Sequence, residues 1–310
     1  MLVWEVDSRG GYLTSPELSE KIRVVAQTKQ VFRNLVNPQE SFGMHRGDVL
    51  QYTKVGDTED GRVVSETETV PTGNLTFYKS SVTALEVTLG IDYSWRLDIL
   101  AKLDIYNQIV IALTNSMART LDKMCGKIFQ TSDLVYTPTG SLTNPSYTLG
   151  TAGTALAAGT RPFTVWDHRN VIDLMEGTYN MPYYSDDGYI AVGTTAFLRS
   201  FHEDGAWERP VVYNAAERVW RGEVGHFYKG RFLTDTNVMD NDLGNGLGEA
   251  IYIAEDAVLE IVVYPEEIQA KAGADYSRDR GLRWVWYGNW AKTWDYSTEN
   301  EARMIRVHSL

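Results

Sequence analysis

The sequence predicts an α+β fold. Three observations carry that reading. A long run of apolar residues at helical spacing crosses the second hundred positions. Short β-prone segments bounded by turn residues precede it. A mixed helix and strand pattern follows it, after a low-charge stretch at 137–162.

The elements follow in chain order. Ser15 is a good N-cap and Pro16 suits the first helical position, so a helix is expected from there to Leu35. Leu18, Ile22, Val25, Phe32 and Leu35 form one face; Glu20, Arg23, Gln27, Gln30 and Asn34 form the other. This amphipathic arm has no local partner and must pack on a distant surface. Strands are expected at 49–52, 62–70 and 83–89, with turns at 56–61 and 70–73, which reads as a long hairpin with little to bury. Ser94 caps a helix starting at Trp95, whose stripe runs Leu97, Leu100, Leu103, Tyr106, Val110, Leu113, Met117, Leu121, Met124 and Ile128. One continuous helix to Ile128 is expected, a spine for the molecule.

Residues 137–162 carry one charge, Arg161, and read as a Thr/Gly/Ala linker or loop. Beyond it, Thr164 and Asp167 make a capping box for a helix ending near Gly177. A strand at 189–192 follows, then a brief helix capped by Thr195 with Phe197, Leu198 and Phe201. Strands around glycines occupy 222–233, an Asp/Asn/Gly loop 235–248, and strands 249–254, 258–264, 282–290 and 303–307. No internal repeat is evident.

Composition restricts the function classes. The 310 residues hold 29 Lys and Arg against 41 Asp and Glu, a net charge of −12 that opposes adsorption to nucleic acid or anionic membrane as a whole. It leaves room for a local basic groove. Cys125 is the single cysteine, so there is neither an internal disulfide framework nor a multi-cysteine zinc site. No apolar run approaches a membrane span, and the first residues have no signal-peptide core. A soluble protein of a reducing cytoplasm is expected. The 9 Trp, 18 Tyr and 9 Phe suit cores, interfaces or sugar-stacking platforms.

Catalytic and ligand motifs fail on inspection. The GNGLG at 244–248 leads into a strand, whereas a dinucleotide turn needs a helix N-terminus. Asp235, Asn237, Asp240 and Asp242 lack the calcium-loop spacing and read as a solvated turn-rich loop. None of His45, His168, His202, His226 and His308 forms a helical metal pair, and Cys125 has no partner base. No cofactor, metal or catalytic residue is expected. Leu282, Trp284, Trp286 and Trp290 alternate onto one strand face. If exposed, with Asp295, Glu299 and Glu301 nearby, they would make a carbohydrate-binding or carbohydrate-active protein; a buried face packed on the long helix or a neighbouring chain is the favoured reading.

Five stretches in order resemble one family. They are GDVL at 47–50, ETETVPTG at 66–73, VTLGIDYS at 87–94, VWRGEVGHFYKG at 219–230, and DRGLRW at 279–284 with the aromatic run to 291. Their order resembles the major capsid proteins of tailed bacteriophages, whose fold is named after phage HK97, and most closely the branch of the phage N4 coat protein and its podovirus relatives. The resemblance implies an N-terminal arm at 1–45, an extended β-hairpin loop at 46–84 and a peripheral domain with the spine helix and peripheral β-sheet at 85–136. An α/β axial domain at 137–264 and C-terminal peripheral strands at 265–310 complete it. It also implies self-assembly into pentamers and hexamers of an icosahedral shell around double-stranded DNA. Scaffold, portal and decoration proteins are further partners it allows, with no membrane, and the bacterial host's cytoplasm as the place of assembly. Candidate subunit-interface residues are Leu18, Ile22 and Phe32 in the arm, Pro71 and Gly73 in the hairpin, and Asp240 and Asp242 in the loop toward the capsomer axis.

Overall fold

The computed structural model describes residues 31–36, 39–41, 43, 45, 47–56, 58, 60–101, 103–151, 153, 159–185, 188–203, 226–239, 248–272, 276, 278–294 and 301–309. The expected arm helix, with Leu18 and Ile22, lies outside them except for its end, a 3-10 turn at Phe32–Leu35. The other elements are β1 (Gln39–Ser41), β2 (Val49–Val55), β3 (Phe77–Thr83), β4 (Leu85–Ser94), α1 (Trp95–Leu100), α2 (Ile105–Phe129), β5 (Leu134–Gly140), β6 (Pro145–Gly150), α3 (Val165–Asp173) continued by a π-helical turn (Leu174–Thr178), β7 (Tyr189–Gly193), α4 (Thr195–His202), β8 (His226–Phe227), β9 (Gly230–Thr234), β10 (Glu249–Ile253), β11 (Val258–Ala270), β12 (Asp279–Lys292) and β13 (Met304–His308). No helix among the described residues is long and apolar enough to cross a membrane.

Two sheets and a hairpin organise these elements. One sheet has the order β1-β11-β12-β4, the other β6-β5-β13-β10-β7-β9-β8, and β2 pairs only with β3. The helix α2 packs mainly on β12. Its buried Leu113, Leu121, Cys125 and Phe129 share a core with Leu282, Trp284, Trp286 and Trp290. The same core takes Ile190, Val192, Ile251 and Ile253 from one face of the larger sheet. The alternate residues Tyr189, Ala191, Ala250 and Tyr252 enter a second core with Phe163, Val171 and Phe197. Burial on both faces explains why β7 and β10 read as unbroken apolar runs rather than alternating ones.

Several expectations are corrected. The spine is not one helix. Ser94 does cap α1, its Oγ accepting from the Leu97 N–H at 3.2 Å. The chain then turns extended at Ala101 (ψ 135°), and Asp104 caps a second start, accepting from Asn107 N–H at 3.1 Å. The uninterrupted part is 25 residues, about 37 Å at 1.5 Å per residue. Residues 62–70 form no strand; their alternating Thr and Glu offer no apolar face, and β3 closes the hairpin instead.

The supposed linker at 137–162 contains the β5–β6 hairpin, bent at Gly140 with φ +83°. Asp167 holds that hairpin to α3. It accepts from Tyr136 at 2.8 Å and from Arg161 Nη2 at 2.6 Å, while Arg161 donates to the carbonyls of Thr139 and Ser146. Asp167 and Thr164 form the expected capping box. The cap of α4 is Thr194, not Thr195: its Oγ1 accepts from Phe197 N–H. Finally, β13 joins the larger sheet between β5 and β10 rather than the spine-helix layer, and β11 continues past position 264, with register irregularities on either side of Tyr264.

Candidate subunit-interface surfaces

The hairpin β2–β3 is two-faced. Leu50, Tyr52, Lys54 and Val82 turn toward the body; Val49, Val55 and Phe77 turn away, with Phe77 60% exposed. Its root is held by specific contacts. Tyr52 donates to the Lys292 carbonyl at 2.9 Å, Asn289 Nδ2 donates to the Thr83 carbonyl at 2.7 Å, and Val82 packs on Leu259 and Ile261. Lys54, although charged, is buried over the Tyr52 ring and beside Trp294, over whose ring Arg303 also stands at 4.9 Å. Beyond the Val55–Phe77 pair the described residues of the tip form a turn at 65–68 and lie in water, with Val63 98% exposed. Pro71 and Gly73 lie there, both exposed, and a Cβ on Gly73 would meet nothing within 4 Å.

A second apolar surface lies on α1. Arg280 holds Asp98 at 2.7 Å and pins the helix to β12, leaving Trp95, Ile99 and Leu100 about half exposed on its other side. The sequence reading had folded Leu100 and Tyr106 into the buried stripe. The signal against that was present: apolar residues at 95, 97, 99 and 100 are more than one face of a short helix can bury.

The arm's end is anchored in its own chain. Phe32 is fully buried, 5.4 Å from the Phe129 ring, so this candidate interface residue belongs to the core. Asp122, buried in α2, accepts from the N–H groups of Val31 and Arg33 at 3.2 and 3.1 Å and from Asn237 Nδ2 at 3.0 Å. Arg33 in turn pairs with Glu260 at 3.0 Å and with Glu266. Burial pushes the Glu260 carboxyl above its ordinary range and Arg33 opposes that shift. Asp235 and Asn237 are buried rather than solvated: Asp235 Oδ2 caps the N–H groups of residues 237–239 at 2.8–3.2 Å. Asp240 and Asp242 lie outside the described residues.

The remaining chemistry is structural. Trp284, Trp286 and Trp290 are 1%, 0% and 2% exposed, and the last two stack at 4.5 Å. The carbohydrate platform is thereby ruled out: a sugar cannot reach rings sealed against α2. Of the nearby carboxylates, Asp295 and Glu299 lie outside the described residues. His168 is buried and both of its ring nitrogens are satisfied. Its Nε2 faces two carbonyls, at Phe227 and Tyr228, so it carries the proton, and Nδ1 accepts from Tyr252 at 2.9 Å. Burial pushes the Cys125 thiol well up, which withholds the thiolate. Among the described residues no cluster of His, Cys, Asp and Glu could hold a metal ion.

Comparison with known proteins agrees with this geometry. The sequence pattern of the phage capsid family matches residues 10–196. No curated protein sequence matches. Among solved structures, the capsid of Helicobacter pylori bacteriophage KHP30 superposes with a TM-score of 0.70 at 12% identity, over 100% of this chain and 98% of the other. The capsid of cyanophage Pam1 gives 0.71 at 12% identity, covering 95% and 96%. That of Ralstonia phage GP4 gives 0.66 at 15% identity, covering 96% and 95%.

Proposed function

Since the chain belongs to the phage capsid family, and is a major capsid protein of the icosahedral phage shell, we propose how its parts divide the work of assembly. The hairpin at 46–84 is the extended loop, laid across a neighbouring copy by its free face. The four-stranded sheet with α2 is the peripheral domain, and the seven-stranded sheet the axial domain around which pentamers and hexamers close. Residues 1–30 are the arm that grips adjacent subunits. Within the tailed phages, the order of motifs in the sequence favours the N4-like podovirus branch. The shell encloses double-stranded DNA and assembles in the cytoplasm of the bacterial host, with scaffold, portal and decoration proteins as further partners.

The observation that carries this reading is the apolar surface left in water. Val55 and Phe77 on the hairpin, and Trp95, Ile99 and Leu100 on α1, are large side chains that a lone chain has no reason to expose together. Burying them against a second copy contributes about 25 cal/mol per Å² of apolar area. Negative-stain microscopy of the expressed protein tests the reading: rings or shells are expected, and a persistent monomer at high concentration contradicts it.

A further inference from the structure

The chain carries a net charge of −12, yet α2 inverts that sign on its outward face. Arg119, Lys123 and Lys127 are all exposed and stand four residues apart along the C-terminal half of the helix. The acidic residue within α2, Asp122, is 1% exposed and occupied by backbone and Asn237 donors. A solvated helix ordinarily intersperses acids four residues from its bases, which gains a few tenths of a kcal/mol per pair. Here no acid shares the stripe, and among the described residues none of its three cations forms an ion pair. The favourable field at a helix C-terminus accounts for Lys127 in the last turn, but not for Arg119 or Lys123 further back.

We propose that Arg119, Lys123 and Lys127 form a contact surface for the phosphate backbone of nucleic acid held inside the shell, a proposal that rests on the capsid reading above. Four residues of helix rise about 6 Å, close to the rise of two phosphates along one strand at about 3.4 Å each. The two spacings differ by about 1 Å per step, which long Lys and Arg side chains can span. Lys and Arg contacts to phosphate fix position without reading sequence, as a container requires. Three contacts per copy are weak alone. Many copies in a shell multiply them, while the surrounding acidic wall keeps the cargo free to leave.

The test uses unassembled full-length protein titrated with a short fluorescein-labelled DNA duplex at several salt concentrations. Binding should weaken with salt at a log–log slope of about −2.7. The variant R119Q/K123Q/K127Q should bind at least about tenfold more weakly with most of that slope gone, and K123Q alone should lose about one unit of slope. A control of equal charge change, R199Q/R231Q/R283Q, replaces exposed residues elsewhere and should bind like the parent. Equal affinity and slope in the stripe variant and the parent would overturn the proposal, as would equal loss in the control. So would tighter binding of polyglutamate than of the duplex at equal charge, which assigns the stripe to an acidic protein instead. Microscopy of the parent and the stripe variant after concentration under assembly conditions separates this from the capsid reading. Shells with unchanged duplex binding in the stripe variant sink the stripe alone; absence of shells in the parent sinks the parent reading.

Discussion

Gly126 sets the closest approach in the core. A Cβ there would stand 2.5 and 2.6 Å from the Val238 methyls and 2.9 Å from the Phe32 ring. The expected helix runs past this glycine, and in the structure its missing side chain lets Val238 and Phe32 press against α2. Gly126→Ala should lower stability by about 1–3 kcal/mol, read by denaturant unfolding, despite the gain in helix propensity. An unchanged midpoint would mean the crossing is looser than described. His308 makes a different residue-level prediction. Burial, and then the neighbouring Arg306, depress its pKa from 6.5 to about 4. The ring is neutral in both folded and unfolded chains above pH 6.5. Below that the unfolded chain takes up a proton first, so stability falls between pH 6.5 and about 4 and the loss levels off beneath. With the ring partly reached by solvent, a loss of about 1–3 kcal/mol is expected. Chemical denaturation across that pH range should be flatter in His308→Gln; an equal slope in both proteins would remove His308 as the cause.

At the scale of elements, local chemistry was legible where it is self-contained. Ser94 and the Thr164–Asp167 box act within three residues, so these caps can be read from spacing, whereas the Asp104 cap lay hidden inside an expected continuous helix. The break between α1 and α2 was not legible from periodicity, because Leu100, Leu103 and Tyr106 continue the helical spacing across it. What ends α1 is its tertiary docking on β12 through Arg280 and through the Trp95 N–H to the Arg278 carbonyl. Residues 137–162 misled for the opposite reason. Low charge and small residues look like a linker, but Tyr136 stacks on Tyr147 at 4.8 Å and Arg161 reaches Asp167 from the far end. The hairpin carries the element-level prediction. Val55→Ser with Phe77→Ser removes apolar surface already in water, so the monomer's stability should change by no more than about 0.5 kcal/mol. Shell formation, scored by microscopy and light scattering, should fall sharply. Normal shells from that double variant would refute the role of the free face.

For the whole molecule, the structure moves the boundary of the arm. Val31, Phe32, Leu35 and Val36 are buried in the core around α2, so a deletion through residue 35 would open a cavity as well as remove an arm. A deletion of residues 1–30 is the clean experiment. It should leave a chain with a cooperative melt that no longer forms shells; shells of normal size would show that the arm is dispensable. The interface candidates divide accordingly. Phe32 is spent on the core, Pro71 and Gly73 are displayed, and the exposed face of α1 was hidden by an apparent stripe. Burial also settles the aromatic surplus on the C-terminal strand, since three tryptophans seal the sheet against the spine helix.

Composition, charge and local spacing by themselves determined the α+β class, most strands, the Ser94 cap and the Thr164–Asp167 box, and the order of motifs shared with the capsid family. These properties depend on neighbours a few residues apart. Only the tertiary structure decided which apolar faces stay in water, where the spine breaks, that β13 crosses to the larger sheet, and that the basic stripe of α2 stays exposed. Those outcomes depend on which surfaces meet across the chain, and periodicity holds no record of the partner.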